Sequence, residues 1–262
     1  MAELLQHLLN ALILGGTYAL LGIGLTLIFG IMRVVNFTHG ELYTFGAYMV
    51  FFLVMVLGAN FFVGILVAMI LGVVLGALIE LVLLRPLRGA DIDTTMLVMI
   101  GAWIAMQNLE QFTWSGIAKS INHPFPMDPL VLGLVSVSWV RVFVFAFAVL
   151  LIGVTYVLIH RTRLGKAMRA TFQDRETAAL MGVDTNRINT ATFAFGSCLA
   201  ATAGALLGPV FIVAPTMGDM AALKAFAIVI LGGLGSIMGA TLGGFILALV
   251  EELGAGYISS GY

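Results

Sequence analysis

The sequence predicts an all-α polytopic membrane protein, and three observations carry the prediction. Of its 262 residues 61% are hydrophobic and only 10% charged, with a mean hydropathy of +1.11. That is too much apolar surface and too little charge to enclose a soluble core in a wet shell. The apolar residues fall in continuous runs of about 20, the length that crosses a bilayer as helix, without the two-residue alternation of a membrane β-barrel. Glycine is abundant, at 31 residues, as suits helices that approach closely in lipid. The chain reads as one transmembrane domain over 1–262. The lone Cys198 excludes a disulfide framework, and a net charge of -1 without a basic tract gives nucleic acid no footing.

About eight membrane segments are expected, some broken or half-length, near 8–30, 38–57, 61–84, 95–113, 139–160, 189–212, 220–234 and 237–256. The opening MAELLQHLLNALILGG has no positive start and no cleavage-like end, so it reads as a first helix and not a removable leader. The polar joints are RPLRGADIDTT (85–95), the proline-bearing 115–138 and the long 160–189. Alternating sides place Arg33, Arg85, Arg88, Arg161, Arg163, Lys166, Arg169, Arg175 and Arg187 together, against Lys119, Arg141 and Lys224. Nine of the twelve basic residues on one face mark it as cytoplasmic, with the N-terminus outside. Trp114 and Trp139 then fall at the outer interface, where indoles prefer to sit.

The second segment opens on VVNFTHGELYTFGAY (34–48). As a helix, Asn36, His39 and Tyr43 form one stripe; Thr38, Glu41, Thr44 and Tyr48 form another, nearly opposite. A helix polar on both sides cannot face lipid, so it is interior, broken near Gly40 and placed toward the cytoplasmic half. Two roles are open: satisfying backbone groups freed at the break, or lining a translocation path. Gln107 and Asn108 in the fourth segment are path candidates of the same kind, whereas Glu110 lies nearer the outer surface and is expected to be wet. His39 and Glu41, at i and i+2, face apart and cannot share a metal or act as an acid–base pair. No metal site, nucleophile elbow or catalytic residue is expected.

In the 160–189 loop, Asp174 is placed to cap a short helix from Arg175 to Met181, Gly182 to stop it, and Asp184 or Thr185 to start the next. Small alanines on an exposed charged helix suit insertion into a partner's groove; a helix lying on the membrane surface is the alternative. Near the C-terminus Gly235, Gly239 and Gly243 recur every four residues, as do Gly232, Ser236, Ala240 and Gly244, a face for close helix packing within the chain or against a partner. The 14-residue segment before it is about 21 Å as helix, too short to span, and predicts a half-helix whose turn is buried among other helices. Pro209 and Pro215 break the outer end of the sixth segment. No internal repeat is evident.

Glu176, Ala178, Ala179 and Gly182 resemble the Glu-Ala-Ala…Gly coupling motif of ABC importer permeases. The whole of RTRLGKAMRATFQDRETAALMGVDTNRI (161–188) is similar to the matching loop of branched-chain amino acid ABC importer permeases, as are GLTLIFGIMRVVNFTHGE (24–41) and LKAFAIVILGGLGSIMGATLGG (223–244). The motif here reads Glu-Thr-Ala-Ala, one residue wider than its simplest form. The resemblance implies a subunit of a bacterial inner-membrane importer for branched-chain or other hydrophobic amino acids. It implies a second permease subunit, two cytoplasmic ATPases and a periplasmic binding protein, with coupling through Arg175, Glu176, Ala178, Ala179, Leu180 and Gly182. It also implies a further helix beyond the final GYISSGY. With only three lysines, none in a Gly-x-x-x-x-Gly-Lys-Ser/Thr context, the chain has no phosphate-binding loop of its own; ATP and magnesium belong to the partners. An importer of urea or short amides would look much the same. A secondary transporter would need mid-membrane coupling carboxylates and no long loop.

Overall fold

The computed structural model describes residues 2–133 and 135–258. Ten α-helices make up these residues: α1 (Ala2–Met32), α2 (His39–Phe51), α3 (Phe61–Ile79), α4 (Ile92–Trp114), α5 (Trp139–Arg161), α6 (Arg163–Gln173), α7 (Arg175–Leu180), α8 (Thr185–Leu207), α9 (Met217–Gly232) and α10 (Ile237–Tyr257). A π-turn, Phe52–Val56, prolongs α2; another, Glu80–Leu84, prolongs α3 and runs into a 3-10 turn, Arg85–Leu87. The eight predicted segments coincide with α1–α5 and α8–α10. Six of these helices are long and apolar enough to cross a membrane. The other two are α9, with 16 residues, and α4, which carries Gln107, Asn108 and Glu110. The further helix expected after the last residue lies outside the described residues.

α1 and α8 form the centre. From Ala11 to Ile31 α1 is almost wholly buried, as is α8 from Asn189 to Leu207. Small residues let them meet: a Cβ on Gly24 would lie 2.6 Å from the Gly196 carbonyl oxygen, and one on Gly196 2.7 Å from that of Gly24. The helices around them pair reciprocally. α10 packs along α1 and α3 along α8, while α2 leans on α8 and α9 on α1. Thus α1-α2-α3 is matched by α8-α9-α10. α2 and the half-helix α9 open on related sequences, Thr38-His39-Gly40-Glu41 and Thr216-Met217-Gly218-Asp219. This corrects the expectation of no internal repeat: the two units share a four-residue signature and small residues at contacts, too little to register as sequence periodicity.

The glycine-rich hairpin also packs within the chain, but not as one stripe. Gly232 ends α9, and Gly235 stands in the turn at φ +87, so neither lies on α10. Gly239 faces the Gly232 carbonyl and Gly243 that of Ile228, both on α9, whereas Gly244 faces Ala19 on α1. The half-helix is as predicted, but its turn is not buried: Gly233, Leu234 and Ser236 are exposed. Phe172 of α6 covers Gly235 of this turn beside Gly30 of α1.

Residues 115–138 contain a hairpin the sequence reading does not anticipate, β1 (Leu130–Leu132) and β2 (Val135–Val137), paired antiparallel. The Gln6 amide bonds the backbone of Ser136 in both directions, each at 2.9 Å. Lys119 and Val213 exchange two backbone hydrogen bonds of 2.8 Å, tying this loop to the segment between α8 and α9.

Candidate functional site

The polar cluster of the second segment is buried, as lipid demands, but its members divide by task. Residues 33–38 are not helical, and α2 starts at His39. Asn36 Oδ1 accepts from the Thr38 backbone N–H (3.1 Å) and the Thr38 hydroxyl (2.6 Å). His39 Nε2–H donates to the Leu21 carbonyl at 2.9 Å. Asn36, Thr38 and His39 thus satisfy the irregular stretch and its neighbour. Leu21 precedes the end of α1 by eleven residues, roughly 16 Å at helical rise, so α2 begins well inside the bundle, beside the middle third of α1. The chain break is therefore before His39. Gly40 is helical and serves a crossing instead: a Cβ there would stand 2.1 Å from the Gly218 carbonyl oxygen.

At that crossing the N-termini of α2 and α9 meet, and each carries an acid in its first turn, Glu41 and Asp219. The positive ends of the two helices partly offset this charge. α4 supplies the donors: Trp103 Nε1–H to Glu41 Oε1 at 3.0 Å, and the Gln107 amide to both Asp219 oxygens at 3.0 and 3.1 Å. Glu110, expected to be wet, is 3% exposed, and neither of its oxygens has a hydrogen-bond partner among the described residues. Four residues on, Trp114 stacks on Tyr48 with ring centroids 4.8 Å apart, holding this end of α4 against α2. Asn108 is exposed on α4 and bonds only the Ile104 carbonyl of its own helix at 2.7 Å, turned away from Gln107.

Replacing Gly40 with valine is expected to destabilise the protein by about 1–3 kcal/mol, because the branched side chain meets the α9 backbone and not a movable side chain. Gly101→Ala on α4, where an added Cβ meets nothing within 4 Å, is the neutral or mildly stabilising control. Thermal melts of the purified protein in detergent compare the two.

Tyr43 points away from this crossing into a cavity of about 370 Å³ between α1, α2, α9 and α10. The same cavity is lined by Tyr18, Lys224, Glu251 and Glu252, none of which the sequence reading placed in a site. Lys224 Nζ donates to Glu251 Oε1 and to the Tyr18 hydroxyl, both at 2.6 Å, and Tyr18 donates to Glu251 Oε2 at 3.0 Å.

Between α5 and α8 the helices α6 and α7 form a protrusion. Asp174 caps α7 by accepting from Glu176 N–H (3.0 Å) and Thr177 N–H (3.1 Å) and from the Thr177 hydroxyl (2.6 Å). Gly182, at φ +85, adopts the left-handed conformation that ends the helix, with Gly182 N–H to Ala179 O and Val183 N–H to Ala178 O, both 3.0 Å. Asp184 caps α8 through Asn186 N–H and Arg187 N–H, each 3.1 Å. α7 presents Arg175, Glu176, Ala179, Leu180 and Gly182 to solvent, while Ala178 turns inward at 5% exposed. The Thr177 hydroxyl and the Thr177 and Glu176 amides hold the Asp174 carboxyl below the usual carboxylate range. A depressed folded-state value means the cap's contribution is complete above the ordinary Asp range and is lost as pH falls through the lowered value. Asp174→Ala is expected to speed amide exchange in 175–181 at pH 7, and acid below pH 4 to do the same to the parent chain, as hydrogen exchange of that segment would show.

Among the described residues no group of three or more His, Cys, Asp or Glu is placed to hold a metal ion. Broken helices meeting at a polar interior, inside a multi-pass bundle with one capped protrusion, fit a membrane transport subunit. The chain belongs to the family described as branched-chain amino acid transport system / permease component, whose profile it matches over residues 7–261. It is 34% identical over 280 residues to the high-affinity branched-chain amino acid transport system permease protein LivH of Escherichia coli (strain K12), covering 98% of this chain and 88% of that one. With the corresponding protein BraD of Pseudomonas aeruginosa it shares 35% over 276 residues, covering 98% and 88%. The ribose import permease protein RbsC of E. coli is more distant, 24% identical over 74% of this chain and 61% of its own. No solved structure matches. The protein is a permease component of a transport system and is not itself catalytic.

Proposed function

We propose that this chain is a membrane-spanning subunit of an ATP-driven importer that moves branched-chain or other hydrophobic amino acids into the cytoplasm of a bacterial cell across its inner membrane. Its family membership over nearly the whole chain carries the reading. Its partners are a second permease subunit, two cytoplasmic ATPases that bind ATP and magnesium, and a periplasmic binding protein that delivers substrate. Closure of the ATPases pushes α7. Because α7 is fixed between α6 and α8, the push tilts α5 and α8, and α8 carries α2 and α3 with it. The crossing of α2 with α9 then shifts, and the interior opens alternately to each side.

Reconstitution into proteoliposomes with these partners tests the reading. Uptake of leucine and ATP hydrolysis should both depend on the loaded binding protein. Stimulation by urea but not by leucine would overturn the substrate, and leucine flux without nucleotide would overturn the mechanism.

A further inference from the structure

The cavity beside α9 combines features that a purely structural ion pair would not need. Lys224 lies at the middle of α9 and Glu251 six residues before the end of α10, both within apolar helices where a charge facing lipid is costly and calls for protein or water beside it. They are paired at 2.6 Å yet not sealed, since their side chains are 31% and 27% exposed toward the cavity. Nor are their bonding capacities filled. An ammonium has three N–H donors, and Glu251 and Tyr18 accept two. Each Glu251 oxygen receives one bond and keeps a free lone pair. Glu252, paired with His7 at 3.5 Å, adds a second carboxylate to the same wall. The rest of the wall is mostly apolar, with Leu14, Leu21, Ile212, Met217 and Met220 beside the hydroxyl-bearing Thr17 and Tyr43.

We propose that this cavity is a substrate subsite for a zwitterionic amino acid with an aliphatic side chain. The inference rests on the function proposed above and names the residues that would hold its cargo. The substrate carboxylate takes the third N–H of Lys224; its ammonium takes the free lone pairs of Glu251, with Glu252 adding negative potential; its side chain lies against Leu14, Leu21 and Met220. Adjacent opposite charges match the close spacing of the two charges in an α-amino acid, whereas an uncharged amide or sugar gains nothing from them. Tyr18 is a positioning residue that holds Lys224 and Glu251 in register. A volume of about 370 Å³ is at the small end of ligand cavities, as a single amino acid requires.

The test uses the assembled transporter in nanodiscs without binding protein, read by saturation-transfer NMR, which registers weak ligands. Leucine should bind, while leucinamide (no carboxylate) and 4-methylpentanoate (no ammonium) should each bind at least about tenfold more weakly. Lys224→Met should weaken leucine by at least about tenfold and erase its advantage over leucinamide. Should that variant fail to assemble, Met220→Trp, which adds an indole at the exposed wall of the cavity and leaves the ion pair intact, is expected to weaken the leucine signal by at least about tenfold. The proposal is overturned if leucine does not bind the parent complex, or binds the Met220→Trp or lysine-free complex as it binds the parent. Parent proteoliposomes that take up leucine in those circumstances would sink this subsite alone; parent proteoliposomes that do not take it up would sink the proposed function.

Discussion

Replacing Leu180 with aspartate is expected to cut leucine uptake by the assembled transporter about 30-fold or more, with the permease itself folding as before. Leu180 and Met181 are 88% and 80% exposed at the tip of α7, outside the membrane spans, where two adjacent large apolar side chains have no role in the chain's own core. Truncating an anchor of this kind at the centre of a protein interface typically costs 2 kcal/mol or more, roughly 30-fold in affinity, and a buried unpaired carboxylate costs more than a truncation. Because Leu180 touches so little of its own chain, the melting temperature should stay within a degree or two of the parent. Co-purification of the ATPase subunits reads the loss directly. The contrasting substitution is Ala178→Asp, on the inward face of the same helix, which should lower the permease's own stability. If Leu180→Asp leaves assembly and uptake intact, α7 is a surface helix and coupling runs elsewhere.

How much of this was legible in the sequence depends on how local each determinant is. The ends of α7 and the start of α8 are fixed by Asp174, Gly182 and Asp184 acting on backbone groups two or three residues away, so reading those residue types was enough. Burial of Asn36, Thr38, His39 and Glu41 was equally legible, because lipid offers such groups no alternative. Their partners were not: Leu21, Trp103 and Gly218 come from other helices, and nothing near the cluster points to them. The partners of Lys224 were not legible either, because counting charges by side assigns a lysine to one end of its segment and says nothing of what it bonds. The signal that would have found the pair was one lone cation in the seventh segment and acids inside the eighth, opposite charges that in lipid need each other. Likewise, the match of Thr38-x-Gly-acid with Thr216-x-Gly-acid becomes meaningful only once Gly40 and Gly218 are seen in contact.

Arg88→Ala is expected to be the most destabilising of the substitutions considered, by about 3–5 kcal/mol, because it strips the counter-charge from a buried acid. Glu80, in the π-turn that ends α3, is 0% exposed. One of its oxygens is bound by the Arg88 guanidinium, which also bonds Asn186, and the other accepts from the Thr190 hydroxyl at 2.6 Å. With Arg88 gone the carboxylate keeps a single neutral donor. That loss is a large fraction of the 5–15 kcal/mol that separates most folded proteins from their unfolded states. The double variant Glu80→Leu/Arg88→Leu removes both charges and should recover most of the melting temperature, as breaking a buried pair costs far more than replacing it. A single variant that melts like the parent would mean that water reaches Glu80 and the clamp is dispensable. The clamp also has a mechanical consequence. Asn186 and Thr190 lie in the first two turns of α8, immediately after α7, so the same guanidinium that neutralises Glu80 fastens the base of the protrusion to the end of α3. Where Arg88→Ala still assembles, at low temperature or with a stabilising lipid, ATP hydrolysis should persist while uptake per ATP falls, because α7 would then move without carrying α3 along.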